Sequence, residues 1–384
     1  MKKKVFALVS AIVIIAIMVI TQSQRGSSVS GTATADGFGG PGALSVTITL
    51  KDGKIADVKA EGPKETPGIG SVAIEKMPGE MVAGNTINVD GVTGATVTST
   101  GILKAAEEAL KAAGVNPNDF KGASTAKVED KTYDVDVVVV GAGGAGMIAA
   151  ITAADAGKKV VLIEKQAMTG GNSVRASGGM NAAHTPEQNS NKFTEEAGVE
   201  KTLKTAAEKW SNHPVITKLA EEVKTEWEGY KAKPEGYFDR SELMQLDTII
   251  GGHGINNPEL VKTLADNTAD AIAWLKTINI DLVSVGAAGA ASVKRIHRPL
   301  NEQKKVVSVG GYMVPRLEAA CKARPNITML METTAKSIMT DENGNVSGIE
   351  AECKGAKITV NARAVVMATG GFGANLKIDR KSVV

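Results

Sequence analysis

The feature that most constrains this fold is an apolar run that ends in a glycine-rich turn. Residues 135–140 read Val-Asp-Val-Val-Val-Val, which is typical of a buried strand, and Gly141, Gly143 and Gly146 follow in the pattern Gly-x-Gly-x-x-Gly. In a nucleotide-binding βαβ unit the first glycine makes the tight turn, the second lets the backbone approach a pyrophosphate, and the third lets helix and strand pack closely. The three glycines are therefore predicted to surround the phosphates of a dinucleotide.

The residues after the turn complete this unit. A helical pattern extends to Gly157, a second apolar strand covers 160–163, and Glu164 ends that strand. The start of the helix offers free N–H groups and the positive end of its dipole to phosphates. Glu164 lies about 20 residues after Gly141, the spacing at which an acid binds a ribose hydroxyl, and its charge disfavours a 2′-phosphate. This unit alone is compatible with either NAD or FAD.

Composition and charge narrow the classes of function. The chain has 384 residues, enough for two to three domains, and its formal net charge of +2 indicates no nucleic-acid partner. Its 42 glycines and 3% aromatic residues favour backbone-lined cofactor loops over a platform that stacks bases. Two cysteines and four scattered histidines match no zinc, haem or iron–sulfur pattern, so no metal site is predicted.

A second unit precedes the nucleotide fold. Apolar and polar residues alternate on both sides of the turn Lys51-Asp52-Gly53-Lys54, which predicts a β-hairpin over 44–60. A helical pattern over 102–113, with Ser99 or Thr100 as its N-cap, ends at Gly114. The predicted organisation is a compact α+β domain over 32–115, a linker over 116–132 and a nucleotide-binding domain over 133–384.

The N-terminus has the pattern of an export or anchor segment. Three lysines at 2–4 precede an apolar run from Val5 to Ile20 that only Ser10 interrupts. This run is long for a signal-peptide core and short for a membrane span, and no Ala-x-Ala site follows it. Residues 1–24 are therefore predicted to be an uncleaved signal anchor, with a cleaved signal peptide as the alternative. The lysines predict that the rest of the chain lies on the extracytoplasmic side of the cell envelope.

The stretch 90–96 lies between the hairpin and the helix and reads Asp-Gly-Val-Thr-Gly-Ala-Thr. Its composition alone indicates a turn before a helix. It also resembles the flavinylation motif of the FMN-binding domain family, as 37–40 and 65–68 resemble other parts of that family. In the family the last threonine carries FMN through a phosphoester bond that a separate flavin transferase makes. The resemblance implies covalent FMN on Thr96, with Asp90 and Gly94 as further motif positions.

Three more glycine-rich stretches follow the βαβ unit. Two of them, 169–173 and 176–183, come after the second strand, and the third, 369–373, follows an apolar strand over 364–368. Backbone-rich loops at these places favour FAD over NAD, because a bound flavin needs more backbone contact than the first turn gives. Together with the stretch 291–299, they resemble the FAD domain of the fumarate reductase flavoproteins, which include urocanate reductase.

This second resemblance covers residues 133–375 and implies non-covalent FAD. The fold class is then α/β, with a small α+β FMN-binding domain followed by a Rossmann-like FAD-binding domain. The residues that the resemblance assigns to FAD are Gly141, Gly143, Gly146, Glu164, Gly170, Gly171, Asn172, Ser177, Gly178, Ala335 and Gly370.

The two resemblances imply an oxidoreductase. In the family, electrons pass from a membrane donor to FMN, then to FAD, and then as hydride to a small α,β-unsaturated carboxylate. The family's clamp domain and its arginine and histidine motifs do not occur before Val384, so we expect a C-terminally truncated FAD domain and assign no catalytic residue. Two alternatives stay open: an electron-transfer flavoprotein in which only FMN works, and an inactive fragment.

A basic run, 294–298, reads Lys-Arg-Ile-His-Arg. A solvated loop is its simpler interpretation. Contact with flavin or substrate is the alternative.

Overall fold

The structure is a computed structural model that describes residues 28–92, 94–122, 129–287, 289 and 291–371. The predicted export segment, 1–24, and the stretch 372–384 lie outside the described residues. No helix in the described residues combines the length and the apolarity needed to cross a membrane.

The first domain packs two helices on an antiparallel sheet. Its elements are β1 (Ser28–Gly37), β2 (Gly40–Lys51), β3 (Lys54–Glu61), α1 (Gly70–Gly84) and α2 (Thr96–Ala112), and the strand order is β1-β2-β3. The predicted hairpin is present, with Val46 opposite Ala60 and Ile48 opposite Val58. Alternate residues of β2 are buried, as the two-residue period of a strand requires. The predicted linker begins with a short 3₁₀ helix, Pro117–Phe120, whose Phe120 lies in the core of this domain.

The second domain is built on a mixed sheet. Its elements are β4 (Lys131–Val140), α3 (Gly144–Asp155), β5 (Val160–Ile163), α8 (Val309–Lys322), β9 (Ile327–Leu330), β10 (Thr333–Thr340), β11 (Val346–Cys353) and β12 (Ala356–Met367). The described strands of the sheet have the order β10-β11-β12-β4-β5-β9. Strands β12, β4, β5 and β9 run parallel, whereas β10, β11 and β12 are antiparallel neighbours. The predicted Rossmann-like α/β fold is confirmed, and the carboxyl ends of β12, β4 and β5 meet at one edge.

The described residues between β5 and α8 form four α-helices, two short 3₁₀ helices and a small antiparallel sheet. The strands and α-helices are β6 (Met180–Asn181), α4 (Glu196–Lys209), α5 (Pro214–Ala232), α6 (Ser241–Gly251), α7 (Pro258–Thr277), β7 (Ser284–Ala287) and β8 (Lys294–Arg298). Phe193 packs edge-on against Trp227, Tyr230 and Tyr237 in the core of the helices. This core is separate from the apolar clusters on either side of the large sheet.

The basic run 294–298 is strand β8, so its interpretation as a solvated loop is wrong. Arg295 and His297 point inward and are 2% and 0% exposed. Arg295 donates to Asp239 Oδ1 and to Asp247 Oδ2, both at 2.9 Å. Strand alternation carries every second side chain into the interior, where the two carboxylates neutralise the guanidinium.

The two domains contact each other. Met168, from the loop after β5, is 7% exposed and belongs to the apolar core of the first domain. Lys76 Nζ lies 2.5 Å from Glu332 Oε2, and Lys354 Nζ lies 2.8 Å from Glu80 Oε1. The first domain is thereby placed beside the edge of the sheet at which β4 and β5 end.

Candidate functional site

A cavity of about 510 Å³ opens at the carboxyl ends of β4, β5 and β12. Its walls are the loops that follow these three strands, together with Gly94 from the first domain. The structure therefore brings one residue of the predicted FMN motif beside most of the residues predicted to bind FAD. Those FAD residues that line the cavity are Gly141, Gly143, Glu164, Gly170, Gly171, Asn172 and Gly370.

The turn after β4 has no room for side chains where the fold needs close contact. Gly141 has a φ of 103°, and a methyl group on it would lie 2.4 Å from the carbonyl oxygen of Ala368. A methyl group on Gly146 would lie 1.8 Å from the carbonyl oxygen of Gly141. Gly143 is less crowded, since a methyl there would lie 3.8 Å from Gly170 O, an ordinary van der Waals contact. The turn, the packing contact and the open approach therefore fall on the three glycines predicted to supply them.

Glu164 forms the wall of the cavity at the end of β5. Its side chain is buried, and the backbone N–H groups of Ala142 and Gln166 donate to Oε2 and Oε1 at 2.9 and 2.8 Å. These two bonds fix the carboxylate, and each oxygen keeps a lone pair that can accept from a hydroxyl. The geometry fits an acid that binds a ribose.

The second glycine loop is locked to the first. The N–H of Gly170 donates to Ala142 O at 2.7 Å, and the N–H of Gly144 donates to Ser173 Oγ at 3.2 Å. Gly170 has a φ of 94°, and a methyl group on it would lie 2.7 Å from Val314 Cγ1 in α8. The backbone of this loop thus faces the cavity directly, which suits a long ligand that lies across both loops.

Other predicted FAD residues lie away from the cavity wall. Ser177 and Gly178 are exposed on the segment that leads to β6. Ala335 lies in β10, two residues after Thr333, whose N–H donates to Glu164 O at 2.9 Å. The contacts of these three residues with FAD stay predictions.

The predicted FMN motif forms a tight turn before α2. Gly94 has a φ of 93°, and the N–H of Ala95 donates to Val92 O at 2.9 Å. The helix begins at Thr96, earlier than predicted, so Ser99 is not its N-cap. Ser99 Oγ instead accepts from the N–H of Val92 at 2.9 Å, which holds the turn against the first turns of the helix. Thr93 lies outside the described residues.

Thr96 is the first residue of α2 and is exposed, as is Asp90. The Thr96 hydroxyl lies at a helix N-terminus, where unpaired N–H groups and the helix dipole favour a phosphate. The arrangement fits a phosphoester on this side chain.

Glu65 is a further functional candidate, beyond the site residues predicted from the sequence. It is 5% exposed, its Oε1 accepts from the N–H of Gly39 at 2.9 Å, and its Oε2 accepts from the hydroxyl of Thr98. Glu65 thus joins the stretches 37–40 and 65–68 to the start of α2. The resemblance of all three stretches to one family was the signal that could have identified it.

Comparisons with known families match both domains. The FAD binding domain family matches residues 136–236 and 229–383, and the FMN-binding domain family matches residues 37–111. These matches support FAD and FMN as the cofactors. The match to the FAD binding domain family, in addition to the glycine loops, therefore supports FAD rather than NAD as the ligand of the glycine turn.

Three curated relatives match much of this chain. It is 34% identical over 376 residues to the NADH:acrylate oxidoreductase of Vibrio harveyi, and the match covers 92% of this chain and 36% of that protein. It is 30% identical over 363 residues to the urocanate reductase of Eggerthella lenta, and the match covers 91% of this chain and 50% of that protein. It is 38% identical over 243 residues to a fumarate reductase (cytochrome) of Shewanella frigidimarina, covering 63% and 34%.

The chain spans between 34% and 50% of the length of these relatives. The FAD family model covers more than half of the chain. The chain therefore belongs to the FAD binding domain family, joined to an N-terminal FMN-binding domain, and it is homologous to the acrylate, urocanate and fumarate oxidoreductases named above.

Proposed function

We propose that this chain is the flavin-binding part of an oxidoreductase that reduces the carbon–carbon double bond of a small α,β-unsaturated carboxylate. The observation that carries the proposal is the shared cavity, in which Gly94 of the FMN motif lies beside the glycine loops of the FAD domain. When bound, FMN would pass electrons to FAD, and FAD would deliver hydride to the substrate. The homology to reductases of acrylate, urocanate and fumarate supports this class of substrate.

The residues of the chain hold and orient the cofactors in this proposal. The turn 141–146 and the N-terminus of α3 bind the pyrophosphate, and Glu164 accepts from a ribose hydroxyl. We assign no proton donor among the described residues. Arg295 is excluded from a direct role toward substrate because it is buried and paired with Asp239 and Asp247.

We further propose that FMN is covalently attached to Thr96 by a flavin transferase. The exposed hydroxyl at the start of α2 and the small neighbours Gly94 and Ala95 support access by such an enzyme. Two exposed apolar side chains, Val97 at 54% and Phe38 at 71%, are available near this end of α2 to cover a flavin ring.

Co-expression with a flavin transferase tests the attachment. We expect a fluorescent band on a denaturing gel that disappears in Thr96→Ala and persists in Thr100→Ala, an exposed threonine one turn later in the same helix. A band of unchanged intensity in Thr96→Ala would remove the phosphoester from this position.

We also propose a location on the extracytoplasmic side of the cell envelope and a membrane electron donor. The lysines at 2–4 and the apolar run 5–20 support this orientation. Membrane fractionation and a topology reporter fused after Val384 test the location, and a soluble cytoplasmic reporter signal would contradict it. Reduction of the flavins by quinol but not by NADH is the expected result for the donor, and the reverse result would replace it.

A further inference from the structure

Arg175 belongs to the FAD domain but touches the FMN motif. It ends the short 3₁₀ turn Ser173–Arg175 at the wall of the cavity. A methyl group on Gly94 would lie 3.1 Å from Arg175 Nη2 and 3.2 Å from the sulfur of Met168. The guanidinium therefore packs directly on the turn that precedes Thr96.

The charge of Arg175 is unpaired in the described part of the chain. No carboxylate there forms an ion pair with it, although other arginines are paired, such as Arg295 with Asp239 and Arg324 with Asp155. Arg175 is exposed at the cavity, so its charge can meet an anionic ligand.

We infer that Arg175 is a positioning residue that binds the phosphate of FMN on Thr96 and holds the FMN motif against the FAD site. The inference rests on the proposed attachment of FMN. Thr96 lies two residues after Gly94, so its Cα is within about 7 Å of the Cα of the residue that Arg175 contacts. A guanidinium binds two oxygens of a phosphate at once, which fixes orientation as well as distance.

The motif around Thr96 supplies no cation of its own, so any positive side chain at this phosphate comes from outside it. The stretch 90–103 contains no lysine or arginine, and Lys104 follows only two turns into α2. The pyrophosphate of FAD has the backbone N–H groups of the turn 141–146 in addition to the N-terminus of α3, whereas the phosphate on Thr96 has the N-terminus of α2 alone. Lys165 also lines the cavity, but it adjoins Glu164 on the ribose side. These placements favour the FMN phosphate as the partner of Arg175.

The contact of Arg175 with Gly94 is part of the packed interface between the two domains. Met168 holds the loop after β5 in the core of the first domain. Gly94 has a φ that disfavours side chains, and a side chain there would displace both Met168 and Arg175. The same contact therefore sets the approach of the two domains and the position of the guanidinium.

The test compares Arg175→Gln and Arg175→Lys with Arg363→Gln, which removes an exposed arginine of β12. Each full chain is co-expressed with the flavin transferase and loaded with FAD, and FMN on Thr96 is verified by peptide mass. The readouts are the ³¹P resonance of the phosphoester and the rate of electron exchange between the flavins after flash reduction. We expect Arg175→Gln to shift the resonance and to slow the exchange roughly tenfold, because losing one charged hydrogen bond lowers by about that factor the population of FMN held at the FAD site. Arg175→Lys restores part of the rate, and Arg363→Gln changes neither readout.

Two kinds of failure are distinguishable. If Thr96 carries FMN and Arg175→Gln changes neither readout, the inference is wrong and the attachment stands. If no FMN is found on Thr96, the attachment and the inference are both wrong. If Arg175→Gln weakens FAD binding equally in a Thr96→Ala background, Arg175 serves the FAD pyrophosphate and the inference is overturned.

Discussion

At the scale of single residues, the contact between Gly146 and the backbone of Gly141 leaves no room for a side chain on Gly146. A methyl group on Gly146 would lie 1.8 Å from Gly141 O, and neither backbone can move without displacing α3 from β4. We expect Gly146→Ala to lower the free energy of unfolding by about 1–3 kcal/mol, the usual cost of overpacking, and to abolish retention of FAD. Urea unfolding measures the first effect and FAD titration measures the second.

Gly229→Ala is the matched control for this substitution. Gly229 lies inside α5, and a methyl group there meets nothing within 4 Å. Alanine is expected to stabilise this helix by about 0.5–1 kcal/mol and to leave FAD binding unchanged. Wild-type FAD affinity in Gly146→Ala would show that the close packing of the turn is not required for the ligand.

At the scale of elements, predictability depends on whether the buried side chains are apolar. Strands β4 and β5 and the hairpin over 44–60 were predicted because apolar residues mark their buried positions. Strand β8 was not predicted, because its two most buried side chains are Arg295 and His297 and hydropathy cannot distinguish a neutralised charge from a solvated one. The packing of Phe120 was not predicted either, because a single apolar side chain in the polar linker sequence gives no periodic pattern.

The ion pairs of β8 predict a pH dependence of stability. Asp239 is buried, and burial raises its pKa to about 6. The opposing effect of the Arg295 guanidinium, which Asp239 shares with Asp247, is smaller. A carboxyl pKa that is higher in the folded state than in the unfolded state stabilises most at low pH. This contribution is present below about pH 4 and is lost as the pH rises through about 6.

Comparison with Asp239→Asn isolates this contribution from the other titrating groups. We expect the stability advantage of the natural chain over the variant to shrink by roughly 2 kcal/mol between pH 4 and pH 7. Urea unfolding of both chains across this range measures it. An advantage that grows with pH would mean that Asp239 is ionised throughout and that Arg295 outweighs the cost of burial.

At the scale of the whole molecule, the sequence identified two domains but not how they meet. The glycine loops at 141–146 and 169–173 and the motif at 90–96 were each visible as local patterns. That Gly94 lies in the same cavity as the FAD loops, and touches Arg175, depends on contacts between residues far apart in the chain. Such contacts leave no periodicity in the sequence, so Arg175 carried no signal of its own.

The way the domains are held together leads to a prediction about salt. The ion pairs Lys76–Glu332 and Lys354–Glu80 are partly exposed, and such pairs contribute about 0–1 kcal/mol each. Burial of a methionine side chain contributes about 1.5–3 kcal/mol and is not screened by salt. Met168, buried in the core of the first domain, should therefore contribute most to the docking of the two domains.

In calorimetry, we expect the natural chain to unfold in one transition with or without about 1 M salt, at which the screening length is about 3 Å. Met168→Asp should unfold in two transitions, because a carboxylate cannot enter an apolar core unpaired. Met168→Leu, which conserves volume and apolarity, should keep one transition. If salt alone separates the transitions of the natural chain, the ion pairs rather than Met168 hold the FMN motif at the FAD site.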